Sequence, residues 1–233
     1  MSGKTTKKDV RPLVLASTSP YRKRLLERLG IGFDVVAPEL DEHALRGEAP
    51  ADTACRLADA KARAVATRYA QALVIGSDQV ADADGVAISK PGDHRSAVAQ
   101  LATLSGRTIV FHTAVALVDA ASGRGQLRLV DVRSTFRALS PSAIERYLRR
   151  EQPYDCAGAV KSEALGIALF ERIESDDPTA LIGLPLIALV DMLREEGVDV
   201  LDPDDALPRQ SAAKSTDAPR VAERGGSAGP SDR

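Results

Sequence analysis

From residue 13 to residue 104 short apolar runs alternate with capped helical patterns, and few folds accommodate that alternation. The run Leu13-Val14-Leu15 is followed by a serine-rich turn, then by a helix that opens on Ser19 as N-cap and Pro20 as first helical residue and stops at Gly30. The same logic predicts strands over 33–37 and 72–77, helices over 51–69 and 94–104, and a turn at Ala83-Asp84-Gly85. Strand and helix in alternation place a sheet under a layer of helices, an α/β arrangement. Beyond residue 104 the pattern changes. The stretches "RTIVFHTAVALVD" and "LRLVDVRSTFRAL" flank the turn-like "AASGRGQ" and read as a long antiparallel hairpin, followed by a helix over 141–150, a strand over 167–174 and a helix over 185–196. The expected fold is therefore a mixed sheet with flanking helices, without repeats of solenoid period.

A chain of 233 residues with 44% hydrophobic content buries one good core or two small ones. Residues 1–11 read as a flexible segment and 12–201 as a single domain. From Asp202 to the end the sequence is rich in Pro, Ser, Ala, Gly and charge, and reads as a disordered tail. Net charge is -2, and the basic residues are spread along the chain rather than blocked. With four Phe, four Tyr and no Trp there is no basic stripe carrying stacking residues, so nucleic acid is not an expected partner. Two cysteines without paired spacing indicate neither a disulfide framework nor a zinc site, and fit a reducing compartment. The polar N-terminus lacks a signal-like apolar run, and no run approaches the roughly 18–20 apolar residues of a membrane-spanning helix. A cytoplasmic, membrane-free protein is the expectation.

Charge placement narrows the chemistry. The helix at 20–29 carries Arg22, Lys23 and Arg24 in its first turns, where the macrodipole is positive and a cation is unfavourable by about 0.3–1 kcal/mol. In the helix predicted over 51–69, Lys61 shares a stripe with Ala54, Ala58 and Val65 and so projects from the face that should pack; on its own, this is a lysine snorkelling at the edge of the stripe. Asp78 follows the apolar "ALVIGS" strand at its C-terminal end, where open α/β sheets bind ligands, although a turn-starting Asp bonded to its own backbone looks the same in isolation. Lys90 precedes a Pro-Gly turn in "ISKPGD", a place where lysines are commonly just solvated. Together, these features suit a ligand with several negative charges and a metal, and a polyphosphate fits. A phosphate at the Ser19 cap, cradled by the Ser17 and Ser19 hydroxyls, would turn Arg22 from a cost into a charge-assisted contact. Glu39, Asp41 and Glu42 cluster in "PELDEHALRGE"; such runs are commonly solvated loops, but Glu39 or Glu42 near Asp78 would help hold a magnesium-type ion. The three histidines are scattered without metal-ligand or triad spacing.

The strings "LASTSPYRKRLLERLG", "APELDE", "RLADAKARAVA", "IGSDQV", "SKPGD", "LSGRTIVFHTAVAL", "YDCAGAVKSEALG" and "LIGLPLIALVDMLREEG" occur in the order and spacing of the Maf-like nucleoside triphosphate pyrophosphatases, and the resemblance spans residues 13 to about 201. It implies an elongated α/β fold similar to the inosine triphosphate pyrophosphatases, with the active site in a cleft between two lobes, and often a homodimer. It also implies hydrolysis of a nucleoside triphosphate between its α and β phosphates with a divalent metal, Mg or Mn. By this resemblance Asp78 is the catalytic proton acceptor, Ser17, Arg22, Lys61 and Lys90 handle phosphate, and Glu39 or Glu42 is the accessory carboxylate. Tyr21, Gln79 and Glu163 stand where the branch acting on dTTP and UTP has arginine, threonine and glutamine. All three are shared with the branch resembling 7-methyl-GTP pyrophosphatase, as are "CAGAVKSE" and "DPTALIGLPL". Two alternatives compete with that reading: a dTTP/UTP pyrophosphatase of the same family, and a non-catalytic nucleotide-binding regulator of cell division, which would have no need of a proton acceptor.

Overall fold

The computed structural model describes residues 11–202; the flexible segment expected before residue 11 and almost all of the tail expected from residue 202 lie outside the described residues. The predicted alternation is present as β1 (Leu13–Ala16), α1 (Pro20–Glu27), β2 (Asp34–Val36), α2 (Pro50–Ala66), β3 (Leu73–Ala83), β4 (Val86–Ile88) and α3 (His94–Leu104). The second half supplies β5 (Thr108–Asp119) and β6 (Gly125–Phe136), the expected hairpin, then α4 (Pro141–Glu151), β7 (Phe170–Glu174) and α5 (Leu186–Glu195). Among the described residues seven strands form one mixed sheet in the order β2-β1-β3-β5-β6-β7, with β4 folded back on β3. β1 runs parallel to both β2 and β3, and the remaining pairs are antiparallel.

The principal difference from the sequence reading lies in β3. The expected strand ends at residue 77 with Asp78 just beyond it, whereas β3 continues to Ala83 and Asp78 sits in its interior. Its polar residues do not break the strand because β5 pairs with it from Leu73↔Asp119 to Asp82↔Val110. β1 pairs with β3 only as far as Ala16↔Gly76. Just past that point β1 leaves the sheet for the turn into α1, so Asp78 still lies at the open C-terminal end of the parallel portion. β3 then turns into β4 through Asp84 and Gly85, both with positive φ (56° and 82°), the signature of a two-residue hairpin turn.

Among the described residues three apolar clusters hold the fold. One face of the parallel strands packs on α1 and α5 through Leu15, Leu26, Ile75, Leu189 and Met192. The opposite face packs on α2 through Val14, Ala54, Ala58, Ala62, Val74 and Ala116. The third cluster lies under the far end of the long hairpin, where Phe111, Val132 and Phe136 meet Leu101 and Leu104 of α3 and Leu148 of α4. The alanines on the inner stripe of α2 bring that helix unusually close to the sheet. A Cβ on Gly76 would run into the backbone of Ala58 and Ala62, so glycine there is a requirement of close approach. Arg11 ties the start of the described chain to its end, pairing with Asp119 at 3.4 Å and with Glu196 at 3.1 Å.

Candidate functional site

Strand alternation sorts the polar residues of β3 onto two faces. Asp78 shares a face with Gly76 and therefore looks toward α2, while Ser77 and Gln79 look the other way. On the α2 side the inward stripe places Lys61 directly against Asp78. Lys61 Nζ donates to Asp78 Oδ1 at 2.6 Å and to Glu42 Oε2 at 2.7 Å. The Lys61 side chain is only 5% exposed and that of Asp78 11%, so the pair sits out of bulk water with Glu42 as its more accessible end. The lysine is thus no edge residue snorkelling to solvent.

Glu42 reaches this pair because the acidic loop is stapled to α2. Glu48 accepts from Arg56 Nε (2.6 Å) and Nη2 (2.7 Å), from the Thr53 hydroxyl (2.9 Å) and from the Leu45 amide (3.0 Å). Arg56 also donates to the His43 carbonyl, next to Glu42. Glu39 goes elsewhere: it lies 3.5 Å from Arg68, with its side chain 82% exposed. Of the two candidate accessory carboxylates, only Glu42 is brought to Asp78.

On the other face of β3 the loop before α5 closes the site. Ser77 donates to the Gly183 carbonyl at 2.9 Å, and Arg22 Nε donates to the same oxygen at 2.8 Å. One carbonyl thus fixes Arg22, and burial pulls its pKa down against the opposing attraction of Asp78 and Glu42. That contact partly answers why a cation stands in the first turn of α1: the guanidinium is aimed across the cleft. Lys23 instead pairs along the helix with Glu27 at 3.9 Å. Ser19 caps α1, accepting from the Arg22 amide at 3.4 Å, and Ser17 accepts from the Ser19 amide at 3.1 Å. Gln79 spends its amide nitrogen on the protein, donating to Thr113 Oγ1 and to the Ala180 and Leu181 carbonyls at 2.9–3.0 Å. A flipped amide would set its oxygen against both carbonyls, so the oxygen is the end left for a ligand.

Two adjoining cavities open over these groups. One is lined by Ser17, Ser19, Arg22, Glu42, Lys61 and Lys90, the cationic end of the cleft. The other carries Gln79, Phe111, Cys156, Val160 and Glu163. Tyr21, Ser19, Arg22, Lys90 and Asp155 line both. Glu163 is not neutralised by Lys161, whose ammonium lies 3.9 Å from Glu151 instead. Burial, together with Cys156, Asp155 and Glu163, pushes the Tyr21 phenol upward, and burial pushes the Cys156 thiol up to about 12. That thiol is protonated and inert at neutral pH. Every proposed site residue except Glu39 therefore borders the cleft or the Lys61–Asp78 pair beneath it. Sequence reasoning missed the supports: Ser77, Thr113 and the Gly183 carbonyl act across more than 60 positions of chain and leave no local signal. It also passed over Asp155, whose position in a loop beside "CAGAVKSE" was the only available cue.

Arg22 and Lys90 border both cavities, and the one that carries Gln79 and Glu163 adds hydrogen-bond acceptors to them, so the cleft suits a phosphorylated ligand bearing a donor-rich head group. The chain belongs to the family described as Maf-like protein, which it matches over residues 12–196. Among its relatives are proteins named 7-methyl-GTP pyrophosphatase. The one from Albidiferax ferrireducens is 55% identical over 191 residues, 82% of this chain and 96% of that protein. The Polaromonas sp. protein is 59% identical over 188 residues (81% and 86%), and that of Ralstonia nicotianae 57% over 183 residues (78% and 94%).

The Glu48 staple has a pH signature. Its hydrogen bonds, those from Arg56 foremost, lower the carboxyl from an ordinary 4.5 to about 2. A depressed folded-state value stabilises above the unfolded value and is lost as pH falls through the folded one. Acid melts of wild type and Glu48→Gln should therefore differ most above about pH 4.5 and converge as pH falls toward about 2. Parallel curves across that window would show that the staple does not tie the acidic loop to the fold.

Proposed function

We propose that this protein is a nucleoside triphosphate pyrophosphatase that hydrolyses 7-methyl-GTP to 7-methyl-GMP and pyrophosphate, acting in the cytoplasm. The observation that carries the reading is the convergence of Asp78 and Glu42 on Lys61 beneath a cleft whose other cations are Arg22 and Lys90. Asp78 takes the proton of the attacking water, and the bond from Lys61 Nζ holds that carboxylate in place. Arg22 and Lys90, with the Ser17 and Ser19 hydroxyls, hold the phosphate chain at the N-terminus of α1.

The carboxylates fit a divalent ion of the magnesium type. Among the described residues no group of three or more His, Cys, Asp or Glu side chains converges as a metal cage. Magnesium and manganese are commonly held at such sites by one or two carboxylates completed by substrate phosphates and water. Asp78 and Glu42 would hold it, whereas Glu39, turned out toward Arg68, would not. The ion would supply charge neutralisation to the phosphates.

The base end supports guanine. Guanine offers N1–H and the 2-amino group side by side, and the Glu163 carboxylate accepts both, while uracil and thymine present one N–H between two carbonyl oxygens. The Gln79 oxygen is a further acceptor, and the Tyr21 ring offers about 0.5–2 kcal/mol to a base made cationic by N7 methylation. These acceptors weigh against a dTTP/UTP enzyme. The Lys61-bound Asp78 weighs against a regulator that binds without turnover.

With 7-methyl-GTP, GTP, dTTP, UTP and CTP compared by kcat/KM through pyrophosphate release, 7-methyl-GTP should lead and GTP follow. Glu163→Gln should narrow the gap to the pyrimidines, because an amide donates to their carbonyls. A wild-type enzyme that prefers dTTP or UTP, or an unchanged ranking in the variant, would contradict the assignment. Asp78→Asn should lower kcat by about 10²–10⁴ while leaving substrate binding less affected; a loss of only a few-fold would remove Asp78 from the proton-accepting role.

A further inference from the structure

Asp155 is the one carboxylate among the five described residues, with Ser19, Tyr21, Arg22 and Lys90, that border both cavities. The residue sits on the turn after α4, and that turn is pinned rather than loose: the Cys156 amide bonds the Pro153 carbonyl at 3.2 Å, and the Gly92 amide bonds the Tyr154 carbonyl at 3.0 Å, joining the turn to the Lys90 loop. The carboxylate accepts from the Cys156 thiol at 3.5 Å. It lies near enough to Tyr21 to act on the phenol electrostatically, together with Glu163. Among the described residues, no Lys, Arg or His comes within ion-pair distance of Asp155 or Glu163, although most other carboxylates bordering this region are paired. The base end of the cleft thus has two carboxylates without an ion-pair partner among the described residues, the amide oxygen of Gln79 and the Tyr21 ring, with Arg22 and Lys90 on the border it shares with the phosphate end.

A neutral base needs only one of those carboxylates. Guanine's two adjacent donors are satisfied by Glu163 alone, and its N7 and O6 are acceptors that gain nothing from a second negative charge. Methylation at N7 removes one of those acceptors and spreads a full positive charge over the imidazole portion of the base. Attraction between that charge and a carboxylate does not require hydrogen-bond geometry, so a group at the margin of the pocket takes part.

We propose that Asp155 is a second specificity-determining carboxylate, which senses the positive charge of an N7-methylated base while Glu163 reads the guanine donors. The proposal rests on the 7-methyl-GTP reading given above and deepens it. Glu163 separates purine from pyrimidine, and Asp155 separates the methylated purine from the unmethylated one. Its place on the border of both cavities adds a second consequence. Because Asp155 also faces the phosphate end, it disfavours any ligand that brings negative charge to the pocket without the compensating cation on the base.

The test is the ratio of kcat/KM for 7-methyl-GTP to that for GTP, measured at low and high salt for wild type, Asp155→Asn and Asp155→Glu. Asp155→Asn should lower the ratio about three- to tenfold, with the loss falling on 7-methyl-GTP, and Asp155→Glu should restore most of it. Screening shortens to about 3 Å at 1 M salt, so the wild-type ratio should fall as salt rises and the Asn variant's should fall less. An unchanged ratio in Asp155→Asn, or an equal change on both substrates, would overturn the proposal, the latter because it would mean that Asp155 acts on the shared phosphates or on the fold. A wild-type enzyme with no preference for 7-methyl-GTP over GTP would instead overturn the substrate reading on which the proposal rests.

Discussion

The ion pair between Lys61 and Asp78 is the contact around which the rest of the molecule is arranged. Removing an ammonium and a carboxylate from water costs several kcal/mol per ion, and their mutual attraction rarely returns more than that. A fold seeking stability alone would place apolar side chains there, as it does at Ala54, Ala58 and Ala62 on the same stripe of α2. The pair also requires an exceptional approach of helix to sheet, which the small residues of α2 and the bare backbone of Gly76 permit. Glu42 adds a third charge at 2.7 Å and is itself held by a loop stapled through Glu48 and Arg56. So much supporting structure around a costly interaction is understandable if the carboxylate has work to do on a ligand.

The opposite face of β3 is organised around a carbonyl instead of a charge. The Gly183 oxygen receives both Ser77 and Arg22, and the neighbouring Ala180 and Leu181 carbonyls orient Gln79. That loop is fixed in turn by Asp177 and Thr179, both buried, which bond the Ile187 and Leu186 amides at the start of α5. One strand therefore feeds two different devices. Asp78 is positioned by helix packing, while Gln79, one residue on, is positioned by a loop more than 100 positions away in sequence.

Much of this could be read from the sequence, and the reason is that the informative residues broke local rules. Lys61 stood on an apolar stripe, Arg22 stood against a helix dipole, and Asp78 followed an apolar strand. The fold followed from alternation and capping, with helix limits close to those predicted, for example 94–104 for α3. The reading failed where contacts are non-local. The continuation of β3 past Asp78 depends on pairing with β5, which no strand propensity in "SDQVADA" announces. The choice between Glu39 and Glu42 depends on which way the acidic loop turns, and that is set by Arg56 on a separate helix. Asp155 shows its significance only in the fold, where it borders both cavities.

If Lys61 and Asp78 serve chemistry and not stability, the double variant Lys61→Met/Asp78→Leu shows it most directly. Exchanging a buried ion pair for apolar side chains of similar volume is often neutral or stabilising, by about 1–4 kcal/mol, whereas removing one partner alone costs about 3–5 kcal/mol. Denaturant unfolding of the double variant should give a midpoint at or above that of wild type, together with no detectable pyrophosphate release from 7-methyl-GTP. A double variant that unfolds far more readily than wild type, or one that retains turnover, would contradict the account.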